Sequence, residues 1–148
     1  MASTTFTLNL NNTETSKVHS ISLGENKTTA ICPPPMVKEH TDSTSPHHLF
    51  LASIGACVNL VFEIALEKAR ISFEDLKSEI TGVYDTEEET GVSRFTSIEI
   101  DTTLKVHNGV KESRLEHLFE MAASNCPIGN CLVGSCVKMV TNLTVEYL

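Results

Sequence analysis

Hydrophobic positions along the chain change their period several times, and each change predicts a different element. Phe6–Leu10, Val18–Leu23 and Lys27–Cys32 are short β-prone runs separated by NNTETS and GEN, the composition of a meander of hairpins. The stretch ICPPPMVKEHTDSTSP then ends regular structure, because three consecutive prolines favour an extended polyproline path. From Leu49 to Leu66 apolar residues fall on every side of a helix, with Glu63 the only charge. Ser45 is a favourable N-cap for that helix and Pro46 suits its first position. A helix that is apolar all round is buried all round. It reaches about 37 Å if it runs to Arg70.

Alternation follows. Leu76, Ile80 and Tyr84 alternate with Lys77, Glu79 and Thr81, and Ile98, Ile100, Leu104 and Val106 alternate with Glu99, Asp101 and Lys105. Both runs predict half-buried strands, joined by the acidic hairpin loop DTEEETG. Lys111–Ala123 carries Leu115, Leu118, Phe119 and Ala122 at amphipathic-helix spacing. Val137–Tyr147 alternates again. Strands, buried helix, strand pair, amphipathic helix and strand make an α+β domain. Its expected parts are N-terminal strands over 1–32, a Pro-rich crossover loop over 33–45, the central helix over 46–71 and the remainder over 72–148.

Composition narrows the function classes. At 148 residues the chain is long enough for one domain with a real core. A formal net charge of −8 argues against a nucleic-acid or anionic-membrane binder, which needs clustered Lys and Arg. The N-terminus MASTTFTLNLNN lacks the basic segment and apolar run of a secretory signal. Ser53, Asn59 and Glu63 interrupt the Leu49–Leu66 run, so a core helix is expected rather than a membrane span. The expected compartment is the cytoplasm.

Five cysteines, an odd number, do not suggest a disulfide framework in a reducing compartment. Cys57 lies in SIGAC and reads either as a small core hydrophobe or as a thiol with space beside it. Cys126 precedes Pro127, so it can cap a new helical turn, whose dipole favours thiolate. Cys126, Cys131 and Cys136 recur at intervals of five and spiral around a helix, with core positions expected for the last two. A zinc site using them with His47 or His48 lacks the usual C-x₂₋₄-C spacing. His47 and His48 otherwise read as exposed residues of a helix start. No phosphate-binding or nucleophile-elbow motif is present, and no metal or cofactor is expected.

SPHHLFLASIGAC, the helix end EKARI, the strand pair after it and the helix running into SNCP together resemble the OsmC/Ohr family of osmotically inducible and organic hydroperoxide resistance proteins. The resemblance runs from about Thr44 to the C-terminus. Its most specific parts are P-x-x-L-x-x-A-x-x-x-x-C from Pro46 to Cys57 and the Cys126–Pro127 pair. It implies antiparallel sheets wrapped around long buried central helices in an intertwined homodimer. It also implies thiol-dependent reduction of organic hydroperoxides in oxidative stress defence. Cys57 would be the peroxidatic thiol and Cys126 the resolving one, in a sulfenate and disulfide cycle reopened by a dithiol reductant such as a lipoylated protein.

The chain departs from the peroxidase pattern at two places. Peroxidase members pair the thiolate with an arginine from the N-terminal strand region, held by a glutamate just after the helix-start proline. Here no arginine precedes Arg70, and His47 stands at the glutamate position. Arg70 lies 13 positions beyond Cys57, about 20 Å along a helix. Lys38, Glu39 and His40 are the candidate substitutes. The departure keeps a second reading open: an OsmC-like protein that binds a small apolar ligand or senses redox state without peroxidase turnover.

Overall fold

The computed structural model describes residues 3–40 and 42–148. The chain divides into two compact units, Met1–Phe50 and Leu51–Leu148.

In the first unit, β1 (Asn9–Asn12), β2 (His19–Ser22) and β3 (Thr28–Ile31) form the predicted antiparallel meander. Strand β1 begins later than the apolar run Phe6–Leu10 suggests. Its residues are exposed along their whole length, as are Phe6 and Leu8 before it, so burial does not fix its register. The triple proline departs from a fully extended path. Pro33 is extended at φ −56° and ψ 147°, but Pro34–Met36 form a 3₁₀ turn with Met36 N–H donating to the Pro33 carbonyl at 2.9 Å. A proline φ suits the first turn of a helix as well as a polyproline segment, and its missing N–H costs nothing there. The loop then returns as a two-residue strand, β4 (Ser43–Thr44), parallel to β3.

Helix α1 (Pro46–Lys68) starts where the capping chemistry places it. Ser45 Oγ accepts from the His48 amide at 3.2 Å and lies 2.7 Å from His48 Nδ1. Ile54, Val58, Phe62 and Leu66, spaced by four, are completely buried. Leu60 and Ile64 are 59% and 48% exposed. Burial therefore follows one face of α1 in the single chain, where the all-apolar sequence led to burial on every side. By length and composition alone α1 also meets the requirement for a membrane span.

In the second unit, β5 (Phe73–Thr86) and β6 (Ser93–Val106) form a long antiparallel hairpin, and β7 (Lys138–Tyr147) runs parallel to β6. A parallel neighbour needs a crossover, supplied by α2 (Glu112–Ser124) and the single-turn α3 (Pro127–Asn130). Along β6 every second residue from Ile98 to Val106 is buried, the period-2 pattern read from sequence. Leu115, Phe119 and Ala122 of α2 are buried, and Phe119 meets Phe62 of α1 edge-on, with centroids 5.1 Å apart. At the centre of this apolar layer Ser78 Oγ lies 2.8 Å from both Asn59 Oδ1 and Thr102 Oγ1. Those bonds satisfy the buried Thr102 hydroxyl and tie α1, β5 and β6 together.

Candidate functional site: a pair of thiols

Cys57 lies in the third turn of α1 and is half-buried. Its neighbour Gly55 faces Ile80 rather than open space for a ligand. A Cβ added there would stand 2.5 Å from Ile80 Cγ1 and 2.6 Å from Cδ1. The glycine lets α1 lie directly on β5.

Cys126 comes from the other end of the unit. Asn125 caps the C-terminus of α2, its amide donating to the Met121 carbonyl at 3.0 Å, and Pro127 opens α3. Cys126 caps that turn, as its sequence context predicts, with Sγ accepting from the Gly129 amide at 3.1 Å. Gly129 permits this approach, since a Cβ there would be 3.3 Å from the sulfur.

The fold brings the two thiols together. Cys126 is completely buried and its side chain hydrogen-bonds to that of Cys57. Burial, and then this hydrogen bond, push the Cys126 thiol above its ordinary range, against the opposing Gly129 amide. Cys126 therefore holds its proton. The cap argument favoured Cys126 as the thiolate, but one short turn carries too small a dipole to offset desolvation.

Val61, one turn beyond Cys57, and Asn125, beside Cys126, line an apolar groove of about 360 Å³ that neither cysteine itself lines. Ile64, Leu118 and Met121 continue it, and Lys68 stands in its wall.

The remaining candidates fall elsewhere. Cys32 is buried, with its sulfur 3.6 Å from Ser43 Oγ. Cys131 and Cys136 are exposed rather than in the core, because the turns around them carry few apolar side chains inward. In the first unit His47 lines a cavity of about 390 Å³ with Lys17, His19, Ile31 and Cys32. Lys38, Glu39 and His40 are not in that lining. Sequence reasoning missed Lys17, which lies in the turn between β1 and β2 with φ at +64°. That left-handed backbone, uncommon outside glycine and asparagine, is a signal invisible before the structure. Among the described residues no group of three or more His, Cys, Asp or Glu side chains is placed to hold a metal ion.

A half-buried thiol and a buried one thus meet on an α+β scaffold. The model of the OsmC-like protein family matches residues 39–142, most of the chain and both cysteines, and the chain belongs to that family. A hypothetical protein from Aquifex aeolicus has the same fold, with TM-score 0.80 at 16% identity over 99% of each chain. An OsmC-like protein of unknown function from Vibrio cholerae superposes with TM-score 0.79 at 18% identity, over 96% of this chain and 100% of that one. The organic hydroperoxide resistance protein OhrB of Bacillus subtilis superposes with TM-score 0.72 at 17% identity, over 95% and 98%. No curated protein sequence matches the chain.

Proposed function

We propose that the protein is a thiol-dependent hydroperoxide reductase acting in peroxide defence. The observation that carries this reading is the hydrogen bond between Cys57 and the buried Cys126. The Cys57 thiolate attacks a peroxide oxygen, the O–O bond breaks, and an alcohol leaves as Cys57 becomes a sulfenic acid. Cys126 then attacks the Cys57 sulfur, water departs and a disulfide forms. An external dithiol, such as a lipoylated protein, returns both cysteines to thiols. The proton retained by Cys126 is at hand for the first leaving oxygen.

The apolar groove beside Val61 and Asn125 favours organic hydroperoxides over hydrogen peroxide. Five free cysteines suit a reducing compartment such as the cytoplasm. The exposed Leu60 and Ile64 of α1 support an intertwined homodimer, in which a second copy would cover the face the single chain leaves open. Acidic net charge argues against nucleic-acid and membrane partners.

The test is consumption of an organic hydroperoxide with dithiothreitol or a lipoylated protein as reductant. Cys57→Ser is expected to abolish turnover, and full activity in that variant overturns the assignment.

One observation favours a second reading. The first unit's cavity places His47, at the glutamate position of the peroxidase pattern, with Lys17 and His19. A ligand-binding or redox-sensing member would use such a cavity for a small apolar acid. It would show ligand-dependent thermal stabilisation without hydroperoxide turnover.

A further inference from the structure

The cavity of the first unit, about 390 Å³, has a basic side and an apolar side. Lys17 and His19 line it and are exposed, whereas Ile31 and Pro33 are half-buried and Cys32 is buried. Among the described residues no aspartate or glutamate lines it, and neither Lys17 nor His19 makes an ion pair. The sheet sets part of this arrangement. His19 and Ile31 are directly paired across β2 and β3, so both project from the same face.

Lys17 holds its place through a pinned turn. The Thr13 N–H and hydroxyl both donate to the Val18 carbonyl, at 3.1 and 2.9 Å, and the Val18 N–H donates to the Thr15 carbonyl at 3.2 Å. Val18 itself is buried, which anchors the end of the turn. Lys17, just before it, has φ at +64°. Glycine or asparagine adopts that backbone at lower cost than a lysine does. The residue found at this position is thus the one whose side chain charges the cavity.

We propose that Lys17 is the specificity-determining residue of a monocarboxylate site in the first unit, with His19 donating to the same carboxylate and the ligand's apolar body lying on Ile31 and Pro33. An ammonium and an imidazole N–H supply donors to both carboxylate oxygens. One fixed positive charge matches a monoanion. The side chains of Ile31, Pro33 and Pro34 offer no further donor to a phosphate or a dicarboxylate. A volume of about 390 Å³ falls within the range of small-molecule sites. Because a solvent-facing ion pair adds little affinity, the apolar body supplies the binding strength and Lys17 the choice of charge. The assignment rests on the ligand-binding reading of this cavity and requires nothing of the thiols.

Isothermal titration calorimetry of the full chain with octanoate, octanamide and octylamine reads the charge preference. Octanoate is expected to bind about fivefold tighter than octanamide, the upper range for a solvent-facing ion pair, with octylamine the weakest. Lys17→Glu is expected to invert that order and Lys17→Arg to keep it. Lys17→Gly is expected to lose the preference for octanoate without lowering the thermal midpoint of the free protein, because glycine suits the left-handed backbone. Equal affinity for octanoate and octanamide overturns the role of Lys17 and leaves the ligand-binding reading standing. Failure of all three probes to bind overturns both. If Lys68→Glu, in the groove of the second unit, abolishes octanoate binding and Lys17→Glu does not, the acid sits in that groove and the assignment is overturned.

Discussion

Cys126, buried at the start of α3, shares a hydrogen bond with Cys57 in the third turn of α1. The two thiols are thus unequal before any oxidant arrives. Burial and its neighbour keep Cys126 protonated. Alkylation of the native protein with iodoacetamide near pH 7 should therefore label exposed Cys131 roughly tenfold or more faster than Cys126, since the thiolate is the nucleophile. Site-resolved mass spectrometry reads the order. Equal rates at the two positions would contradict the buried, protonated state of Cys126.

The same inequality gives a pH dependence of stability. The folded state holds the Cys126 proton more tightly than the unfolded chain does, because the folded thiol lies above its ordinary range. Its stabilising contribution is fully present below the unfolded thiol value, about 8.5. It is lost as pH rises through the higher folded value. Urea midpoints measured from pH 7 to 10 should fall more steeply above about pH 8.5 in the wild type than in Cys126→Ala. The slopes are compared because the alanine also leaves a cavity. Parallel slopes would remove Cys126 from the pH response.

Gly55 and Ile80 set how closely α1 lies on β5. Alanine at 55 improves helix propensity by about 1 kcal/mol, yet its Cβ would meet Ile80 Cγ1 at 2.5 Å. Overpacking of this kind costs about 1–3 kcal/mol, so Gly55→Ala should be neutral or destabilising rather than stabilising. Ile80→Ala removes the atoms that clash. The double variant should then lose less than the sum of the two single losses, and strict additivity in urea unfolding would place the clash elsewhere.

What the sequence disclosed was mostly local. The Ser45 cap, Pro46 at the first helical position and the Cys126–Pro127 turn depend on neighbours within four residues, and all three stand as read. Alternation from Ile98 to Val106 likewise reports its own burial. Contacts made across the chain were hidden. The parallel pairing of β7 with β6 depends on the direction of the crossover rather than on the alternation in either strand. Gly55 looked like space for a ligand because Ile80, its actual neighbour, lies 25 positions away. Lys17 could not be placed with His47 because the cavity is closed by strands and prolines from separate runs. The pairing of Cys57 with Cys126 came from family resemblance, since neither spacing nor composition joins residues so far apart.

Ser78 links Asn59 and Thr102 at 2.8 Å each inside the second unit. Removing its hydroxyl leaves Thr102, 2% exposed, without this partner, and an unsatisfied buried polar group costs about 1–3 kcal/mol. Ser78→Ala should lower stability by that amount in urea unfolding. Thr86→Ala, which breaks an equally short 2.7 Å bond to Ser93 at the exposed end of the hairpin, should stay within about 0.5 kcal/mol. Similar losses at both positions would mean that burial does not set the cost here.

The final prediction concerns the open face of α1. Leu60 and Ile64 are four residues apart and 59% and 48% exposed, while Phe62 between them and Val58 before them are fully buried. Burial of two such side chains stabilises an interface by about 1.5–3 kcal/mol each, and a glutamate at either position opposes it strongly when desolvated. If a second copy covers this face, the wild type sediments as a dimer and Leu60→Glu/Ile64→Glu sediments as a monomer. Because both positions are exposed in the single chain, the monomer's far-ultraviolet circular dichroism should still show α1 and the sheets. A wild type that sediments as a monomer would rule out the homodimer. A dimer that survives both substitutions would move the interface away from this face.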